Sequence, residues 1–298
     1  KREEEKGRKQ KKKKQKSERR KKGEKERKER RKKREKKGEK KKEKGKEKKK
    51  KESKEKVKEE KKEKEEEEER KKEIKCETDG FPYMEIEELG YNCAVHGQKS
   101  YNGVALLSRY PLEDVVTGLP GNEDDDQARY VEALVLADRP VRVGGLYLPN
   151  GNPAPGPKYD YKLGWMKHLK AHAAQQLKLE EPFLLAGDYN VIPRDEDCWD
   201  IAVWRDDALA LQTTRAAFRE LKWLGLTEAY EAADGRAHEY SFWDYQGGAW
   251  KKGHGIRIDH LLLSPQVADR LEGVEIYKKA REMDKPSDHV PVIATLAD

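Results

Sequence analysis

Residues 130–148 read YVEALVLADRPVRVGGLYL, and this stretch decides between the possible α/β architectures. It contains two runs rich in Val, Leu and Tyr, which predict strands over residues 130–136 and 141–148. Only residues 137–140 separate the two runs, so the strands follow one another without an intervening helix. A simple doubly wound sheet would alternate strands with helices. The sequence therefore favours an α/β sandwich of two β-sheets flanked by helices.

Further strands and two helices are predicted on either side of this stretch. Short β-rich runs predict strands over residues 91–96, 103–108, 183–186, 256–263 and 290–295. Helical periodicity predicts helices over residues 159–179, with Lys and His at the polar positions, and 213–224, which ends at Gly225. The loops between the strands carry most of the polar residues, and we expect the functional site there.

The formal net charge of +8 combines two unlike segments. Residues 1–75 contain 43 Lys and Arg against 22 Glu, a net charge of +21, whereas residues 76–298 contain 24 Lys and Arg against 37 acidic residues, a net charge of −13. The first segment has almost no apolar residues and cannot bury a core. We therefore predict a low-complexity charged tail over 1–75, disordered or helical, and one α/β domain over 76–298.

Two interpretations of the tail stay open. Up to Glu73 it consists almost entirely of Lys, Arg, Glu and Gly, the residue types encoded by purine-only codons. A purine-rich stretch of DNA read in the wrong frame would give such a segment. The alternative is a basic arm that binds nucleic acid or acidic partners.

Membrane and disulfide signals are missing from the sequence. It has no secretory signal and no apolar stretch long enough to span a bilayer, which predicts a soluble protein. The three cysteines, Cys76, Cys93 and Cys198, are widely spaced and odd in number. This pattern argues against a disulfide framework or a zinc knuckle and favours the reducing cytoplasm.

Residues 285–292, KPSDHVPV, place an acid and an imidazole side by side between a turn and a strand. The turn would deliver Asp288 and His289 to the mouth of the strand, where a hydrolase keeps its acid and base groups. The alternative for this run alone is a surface turn.

Residues 184–190, LLAGDYN, form a second motif, a buried strand that runs into a glycine turn. Alternation in an extended chain places Asp188 and Asn190 on one face. A carboxylate and a carboxamide in this arrangement can orient a water molecule and bind a phosphoryl oxygen. For either residue alone, an Asx turn that caps the strand is the alternative.

Residues 255–263, GIRIDHLLL, form a third motif, in which Asp259 interrupts an apolar strand. A buried acid is costly unless it is paired. Because strand neighbours point to opposite faces, we predict that Asp259 pairs with His289 and not with the adjacent His260. Such a carboxylate would fix the tautomer of His289 and support its charged form.

Aromatic and polar loop residues suggest contacts with a nucleic acid. The run 241–245, SFWDY, is dense in aromatics, and the run 145–151, GLYLPNG, delivers the phenol of Tyr147. Loop aromatics stack on bases or line a sugar pocket, whereas core aromatics pack, and both interpretations stay open for Trp243. Three further residues could hold a phosphate backbone: Tyr101, Asn102 and Arg129.

The candidate metal ligands are oxygen donors, which suit Mg²⁺ or Mn²⁺ better than Zn²⁺. The chain has no Cys pair and no His-Glu-x-x-His motif. His168 and His172 are four residues apart on the first predicted helix, and we expect them on its solvated face.

Six runs taken in order closely resemble bacterial exodeoxyribonuclease III, a family of the endonuclease/exonuclease/phosphatase superfamily. They are residues 101–109, 146–151, 187–190, 241–245, 257–264 and 285–292. The resemblance covers nearly everything from Phe81 to the C-terminus, and the run 242–245 favours the DNA repair branch over lipid or inositol phosphatases. It implies a four-layered α/β sandwich that uses Mg²⁺ to hydrolyse DNA phosphodiesters, as a 3′ to 5′ exonuclease on duplex DNA and as an endonuclease at abasic sites.

The resemblance also implies roles for the catalytic residues. Asp188 and Asn190 match the residues that position the nucleophilic water and the phosphate, and Tyr147 matches a phosphate-binding tyrosine. Asp259 matches the acid that orients His289.

The remaining roles concern metal and DNA. Glu77 resembles a metal-binding Glu, and Asp288, from the terminal catalytic pair, is its predicted companion. Phe242 and Trp243 match aromatics that recognise a sugar lacking its base. The predicted DNA contacts are therefore Tyr101, Asn102, Arg129, Asn150, Phe242 and Trp243.

One family motif has no counterpart in the chain. The family's domain opens with a strand that ends in a Trp-Asn-Val-Asn-like motif, whose Asn helps to hold the metal, and nothing in residues 1–75 resembles it. We therefore expect a sandwich that is incomplete at its N-terminus. Three functions follow as hypotheses: a monomeric Mg²⁺-dependent DNA repair nuclease, a non-catalytic nucleic-acid-binding remnant, and a phosphatase that acts on small phosphoesters.

Overall fold

The computed structural model describes residues 76–99 and 101–297. The strands are β1 (Asn92–His96), β2 (Val104–Ser108), β3 (Leu112–Thr117), β4 (Tyr130–Val135), β5 (Val141–Tyr147), β6 (Phe183–Asp188), β7 (Thr227–Glu228), β8 (Asp259–Leu263), β9 (Leu271–Ile276) and β10 (Val292–Leu296). The α-helices are α1 (Tyr83–Glu88), α2 (Pro157–Leu177), α3 (Ile201–Trp204), α4 (Gln212–Lys222), α5 (Ala229–Ala233), α6 (Ala249–Lys252) and α7 (Pro265–Ala268). The predicted charged tail, residues 1–75, lies outside the described residues, and so does the region in which the family's N-terminal motif was sought.

A six-stranded sheet with the order β3-β4-β5-β6-β8-β7 forms the centre of the fold. Strands β4 and β5 are antiparallel neighbours, as the short connection between them predicts. Strands β5 and β6 are parallel, and the chain passes from one to the other through α2, since parallel strands need a long crossover. The remaining neighbours pair antiparallel.

The two faces of this sheet pack against different layers. On one face, Leu185 of β6 packs in a core with Trp165 of α2 and Phe218 of α4. The neighbouring Leu184 points to the opposite face and packs with residues of β9 and β10. On that opposite face, the antiparallel pair β1–β2 also lies over β4 and β5. The predicted α/β sandwich is confirmed, and β1–β2 and β9–β10 are two separate two-stranded sheets beside the central one.

The sequence does not predict three of the strands, β3, β7 and β9, and β7 has only two residues. β3 is almost entirely exposed and has two acidic residues in its centre, so it lacks the apolar alternation of a half-buried strand. β9, LEGVEI, is interrupted by Gly273 and two glutamates. In the other direction, the strand predicted over 256–263 begins only at Asp259, because the preceding residues make isolated bridges.

The prediction that His172 is solvated is wrong. It is buried on the core face of α2, and its Nε2 lies 2.7 Å from Glu132 Oε2. The same carboxylate accepts a 2.6 Å hydrogen bond from the Tyr130 hydroxyl. Burial alone would raise the pKa of Glu132, but these hydrogen bonds and the charge of Arg142 bring it below its usual value. His168, one turn earlier, is half-buried.

The long helix α2 belongs to this core and not to a bilayer. Within residues 76–99 and 101–297, no helix combines the length and the apolar character that crossing a membrane requires.

Candidate active site

Three side chains of the candidate site share one register across the central sheet. Tyr147 at the end of β5 is the register partner of Asp188 at the end of β6. Asp188 is in turn the partner of Asp259 at the start of β8. Paired residues in neighbouring strands project to the same face. Tyr147, Asp188 and Asp259 therefore form a row at one edge of the sheet, on the face that carries β9 and β10.

His289 completes this row from the segment before β10. Its Nδ1 lies 2.8 Å from Asp259 Oδ2 and 3.0 Å from Oδ1, which is the pairing that the sequence predicts. Because a carboxylate only accepts, Nδ1 carries the proton and donates it to Asp259. The other ring nitrogen, Nε2, lies 3.9 Å from Asp188 Oδ2. The imidazole is thus held at one nitrogen and directed at Asp188 with the other.

Hydrogen bonds to Ser241 fix Asp259 and His289 in this arrangement. The buried Ser241 hydroxyl accepts hydrogen bonds from the backbone N–H of Ile258 and of Asp259, both at 3.2 Å. Val290 N donates to Ser241 O at 2.8 Å, so the His289 segment is tied to the same residue. The ring centroid of Phe242 lies 5.0 Å from that of His289.

Asn190 holds Asp188 from the adjoining turn. Its backbone N–H donates to Asp188 Oδ1 at 2.7 Å, and its Nδ2 donates to Asp188 Oδ2 at 3.2 Å and to Leu148 O at 2.9 Å. Asn190 has a φ of 49°, a left-handed conformation that Asn tolerates better than most residues. Because its side chain is buried and its amide nitrogen is engaged, Asn190 orients Asp188 in this structure, and a contact with phosphate stays a prediction.

Gly187 shows why the strand before Asp188 must carry glycine. A Cβ at this position would lie 1.9 Å from Leu146 O. Since no side chain fits there, only glycine lets β6 run beside β5 and bring Asp188 into register with Tyr147.

Arg129 and its neighbours support Tyr147. The Arg129 guanidinium donates to Tyr147 O at 3.1 Å and lies 4.9 Å from the centre of the Tyr147 ring. Its Nε donates to Gln127 Oε1 at 2.7 Å, and the same oxygen accepts from Asn102 Nδ2 at 3.3 Å. Asn102 is buried, whereas Tyr101 is half-buried. Their predicted DNA contacts remain predictions.

The two aromatics of the 241–245 run differ in their surroundings. Phe242 lies beside His289 at the site. Trp243 is only 3% exposed and packs edge-on against Tyr240 and Trp250, as core aromatics do. The packing alternative for Trp243 is the one that this geometry favours, and its contact with a sugar stays a prediction.

Asp288 lies in a loop that several backbone contacts immobilise. Trp243 N donates to Asp288 O at 2.9 Å, and the buried Arg281 donates to Ser287 O at 2.9 Å and to Trp243 O at 3.3 Å. The carboxylate of Asp288 is itself buried. Sequence reasoning missed Arg281, which has no motif around it.

Lys162 is the second residue that sequence reasoning missed. It is completely buried on α2, and its Nζ donates to Asn150 O at 3.0 Å and to Asn190 O at 2.6 Å. A signal was present in the sequence, because Lys162 falls three residues before Trp165 and seven before Leu169, on the apolar stripe of the helix.

The fold and this site together define a hydrolytic phosphodiesterase: an α/β sandwich whose strand ends carry two acids and a carboxylate-held imidazole. Comparison with known proteins narrows the class. Residues 69–289 match the model of the endonuclease/exonuclease/phosphatase family, and the chain belongs to that family.

Relatives and solved structures agree with this assignment. The chain is 31% identical to exodeoxyribonuclease III of Haemophilus influenzae over 237 residues, which cover 74% of this chain and 86% of that protein. It is similar to a 3′-5′ exonuclease from Neisseria meningitidis, with a TM-score of 0.73 and 35% identity over 76% of this chain and 88% of that one. An AP endonuclease from Archaeoglobus fulgidus gives a TM-score of 0.71 and 29% identity, covering 76% of this chain and 86% of that one.

Nucleases of this family depend on a divalent metal ion, and the described residues fit such an ion only in part. The predicted ligands Glu77 and Asp288 are carboxylates, the donor type that Mg²⁺ and Mn²⁺ take. Glu77 is exposed, and its backbone lies against Gly97, the residue that follows β1. However, no group of three or more His, Cys, Asp or Glu side chains that could hold a metal forms in residues 76–99 and 101–297. These residues alone therefore do not complete a metal site.

Proposed function

We propose that the chain is a metal-dependent DNA repair nuclease that hydrolyses phosphodiesters, as a 3′ to 5′ exodeoxyribonuclease on duplex DNA and as an endonuclease at abasic sites. The observation that carries this proposal is the His289–Asp259 pair facing Asp188 across 3.9 Å. The names of the relatives, an exodeoxyribonuclease III and an AP endonuclease, support DNA as the substrate.

The geometry suggests a division of labour between Asp188 and His289. Asp188 is held by two hydrogen bonds from Asn190, so its carboxylate has a fixed direction in which to align a water molecule and accept its proton. His289 donates through Nδ1 to Asp259, which stabilises the imidazolium form. A phosphoryl oxygen near Nε2 would then meet a donor and a positive charge as negative charge develops in the transition state.

The finer assignments belong to the same proposal. We infer that the metal is Mg²⁺, replaceable by Mn²⁺, with Glu77 and Asp288 among its ligands. Tyr147 would contact the phosphate, since it lies in register with Asp188, and Arg129 would support it from below. Asn150 and Phe242 adjoin the site and are the DNA contacts that the geometry favours most. The protein would act as a monomer in the cytoplasm.

The test is cleavage by the full chain of two duplexes in Mg²⁺, one with an abasic-site analogue and one with blunt ends. We expect Asp188→Asn to lower the rate of cleavage about 1000-fold on both, because the fixed carboxylate is lost. Asp138→Asn is the matched control, since Asp138 is exposed in the turn before β5, at the other end of that strand from Tyr147. This control should cleave like the unmodified chain.

Other outcomes separate the competing functions. Equal cleavage by Asp188→Asn and the unmodified chain would contradict the proposal. Salt-sensitive DNA binding without cleavage would favour the binding remnant, and turnover of small phosphoesters without DNA cleavage would favour the phosphatase. Excess EDTA should abolish cleavage, and added Mg²⁺ or Mn²⁺ should restore it.

A further inference from the structure

Lys162 joins the two loops that carry the candidate catalytic residues. One loop follows β5 and contains Asn150, and the other follows β6 and contains Asn190. The Lys162 ammonium donates to the backbone carbonyl oxygen of each residue, at 3.0 and 2.6 Å. A third link runs between the side chains, because Asn150 Nδ2 donates to Asn190 Oδ1 at 3.2 Å. The ammonium is therefore a hydrogen-bond donor that both loops share.

A buried ammonium is costly, so its position requires compensation. Lys162 has an exposure of 0%. Burial lowers the pKa of Lys162 to about 7, while the charges of Asp188 and Asp207 favour its protonated form and Arg129 opposes it. These are the charged groups that act on it from β6, from the loop before α4 and from the segment before β4. The two carboxylates and the two carbonyl oxygens favour the charged form, which predominates below a pKa of about 7.

The loop after β5 is shaped around the lysine stem. Gly151 has a φ of 91°, in the region that favours glycine. A Cβ at Gly151 would lie 2.6 Å from Lys162 Cδ and 3.2 Å from Ala208 Cβ. Any side chain at position 151 would therefore displace the lysine or the loop.

We propose that Lys162 is a positioning residue of the active site, which keeps the Tyr147–Asn150 and Asp188–Asn190 loops in register and supplies a positive charge that favours the ionised form of Asp188. This inference rests on the proposed nuclease function. Lys162 acts through other residues, since its ammonium is directed at backbone oxygens beneath the loops.

The activity test compares Lys162→Met with Lys167→Met, a matched substitution at an exposed position of the same helix. Lys162→Met should lower kcat for cleavage of the abasic duplex about 100-fold, because small displacements of reacting groups cost rates of that order. KM should stay within about threefold. In addition, the acid limb of the kcat profile should move to higher pH, because Asp188 loses a neighbouring positive charge. Lys167→Met should change none of these.

Gly151→Ala distinguishes the effect of Lys162 on the position of the loops from the effect of its charge on Asp188. This variant keeps the ammonium but crowds its stem, so we expect a lower kcat with an unshifted acid limb. An acid limb that moves equally in Gly151→Ala and Lys162→Met would overturn the electrostatic part of the proposal. A kcat of Lys162→Met within about threefold of the unmodified chain would overturn the positional part.

Hydrogen exchange tests the positional claim without any activity. Backbone amides of residues 148–152 and 188–192 should exchange at least about tenfold faster in Lys162→Met, since both loops lose their common anchor. The same amides should be unchanged in Lys167→Met. Unchanged exchange in both loops would overturn the proposal. If the unmodified chain cleaves no DNA while this exchange effect is present, the nuclease function fails and the anchoring role stands.

Discussion

Two carboxylate–imidazole groups lie at β8, and they use the same chemistry in opposite surroundings. Asp259 and His260 are consecutive and point to opposite faces of the sheet. Asp259 pairs with His289 at the open end of the strand. His260 lies beneath the sheet, where its Nδ1 is 3.4 Å from Glu228 Oε1.

The group around His260 is closed. Arg257, which is 1% exposed, donates to Asp197 Oδ1 at 3.0 Å and to Glu228 Oε1 at 3.1 Å. His260 Nε2 donates to Val191 O at 3.0 Å. Burial raises the pKa of Glu228, but its contact with His260 and the charge of Arg257 bring it below its usual value. These buried charges are paired with one another, and Arg257, Glu228 and His260 are each no more than 4% exposed.

The group around His289 is open. The side chains of His289 and Asp259 are 16% and 18% exposed, and the carboxylate of Asp188 lies 3.9 Å from Nε2 of the imidazole. Under the proposed function, a phosphoryl oxygen or a water molecule would bind beside Nε2 and Asp188. Exposure, more than residue type, therefore distinguishes the candidate catalytic group around His289 from the buried group around His260.

Arg257→Met should show the largest effect on stability. Removal of the guanidinium takes a buried counter-charge from Glu228 and leaves Asp197 paired with Arg194 alone, and breaking a buried pair in this way costs about 3–5 kcal/mol. Urea unfolding monitored by circular dichroism measures the loss. The control is Lys170→Met, which breaks the exposed pair with Glu220 and should cost about 1 kcal/mol or less. Equal losses in the two variants would show that the buried cluster is not structural.

Asp259→Asn tests the open group. The amide keeps the shape of the side chain but no longer stabilises a charged imidazole, so kcat for DNA cleavage should fall on the order of 100-fold. The free energy of unfolding should change by less than about 1 kcal/mol, because the pair is partly exposed. Steady-state kinetics and urea unfolding on one preparation supply both quantities.

Glu228→Gln is the matched substitution in the closed group. It should destabilise the protein but leave kcat per folded molecule unchanged, the reverse of Asp259→Asn. The comparison between the two groups would break down if Glu228→Gln reduced kcat as much as Asp259→Asn does.

The sequence predicts the inner strands of the central sheet because their apolar runs are continuous, as in 183–186 and 141–148. It also reached the Asp259–His289 pair, since alternation along β8 excludes His260 as the partner of Asp259. It could not place β3, whose residues are exposed and charged, because an edge strand of this kind is defined by its pairing with β4 and not by a buried face.

The limits of sequence reasoning are clearest for Lys162 and His172. Both fall on the apolar stripe of α2, yet a polar residue type was given more weight than its position. Their partners, the carbonyl of Asn190 and the carboxylate of Glu132, are distant in sequence, so the residues next to Lys162 and His172 do not predict these contacts. Asn190 lies beside Asp188 through the Asx turn that was the alternative, with a left-handed backbone at Asn190, and not through alternation in an extended chain. Only the fold shows that its amide is engaged with Leu148 O.

The pH dependence of stability gives the smallest and most specific test of the closed group. In the unmodified chain the pKa values of Asp197 and Glu228 lie below their usual values, so these groups stabilise the fold above about pH 4.5 and lose that contribution as the pH falls. Without Arg257, Glu228 loses the charge that opposes its burial and its pKa should rise, whereas Asp197 keeps its hydrogen bonds from Arg194. Acidification should then cost the variant less stability than it costs the unmodified chain. The difference in unfolding free energy between the unmodified chain and Arg257→Met should therefore narrow from pH 7 to pH 4. Parallel curves in urea unfolding would show that Arg257 does not control the ionisation of these carboxylates.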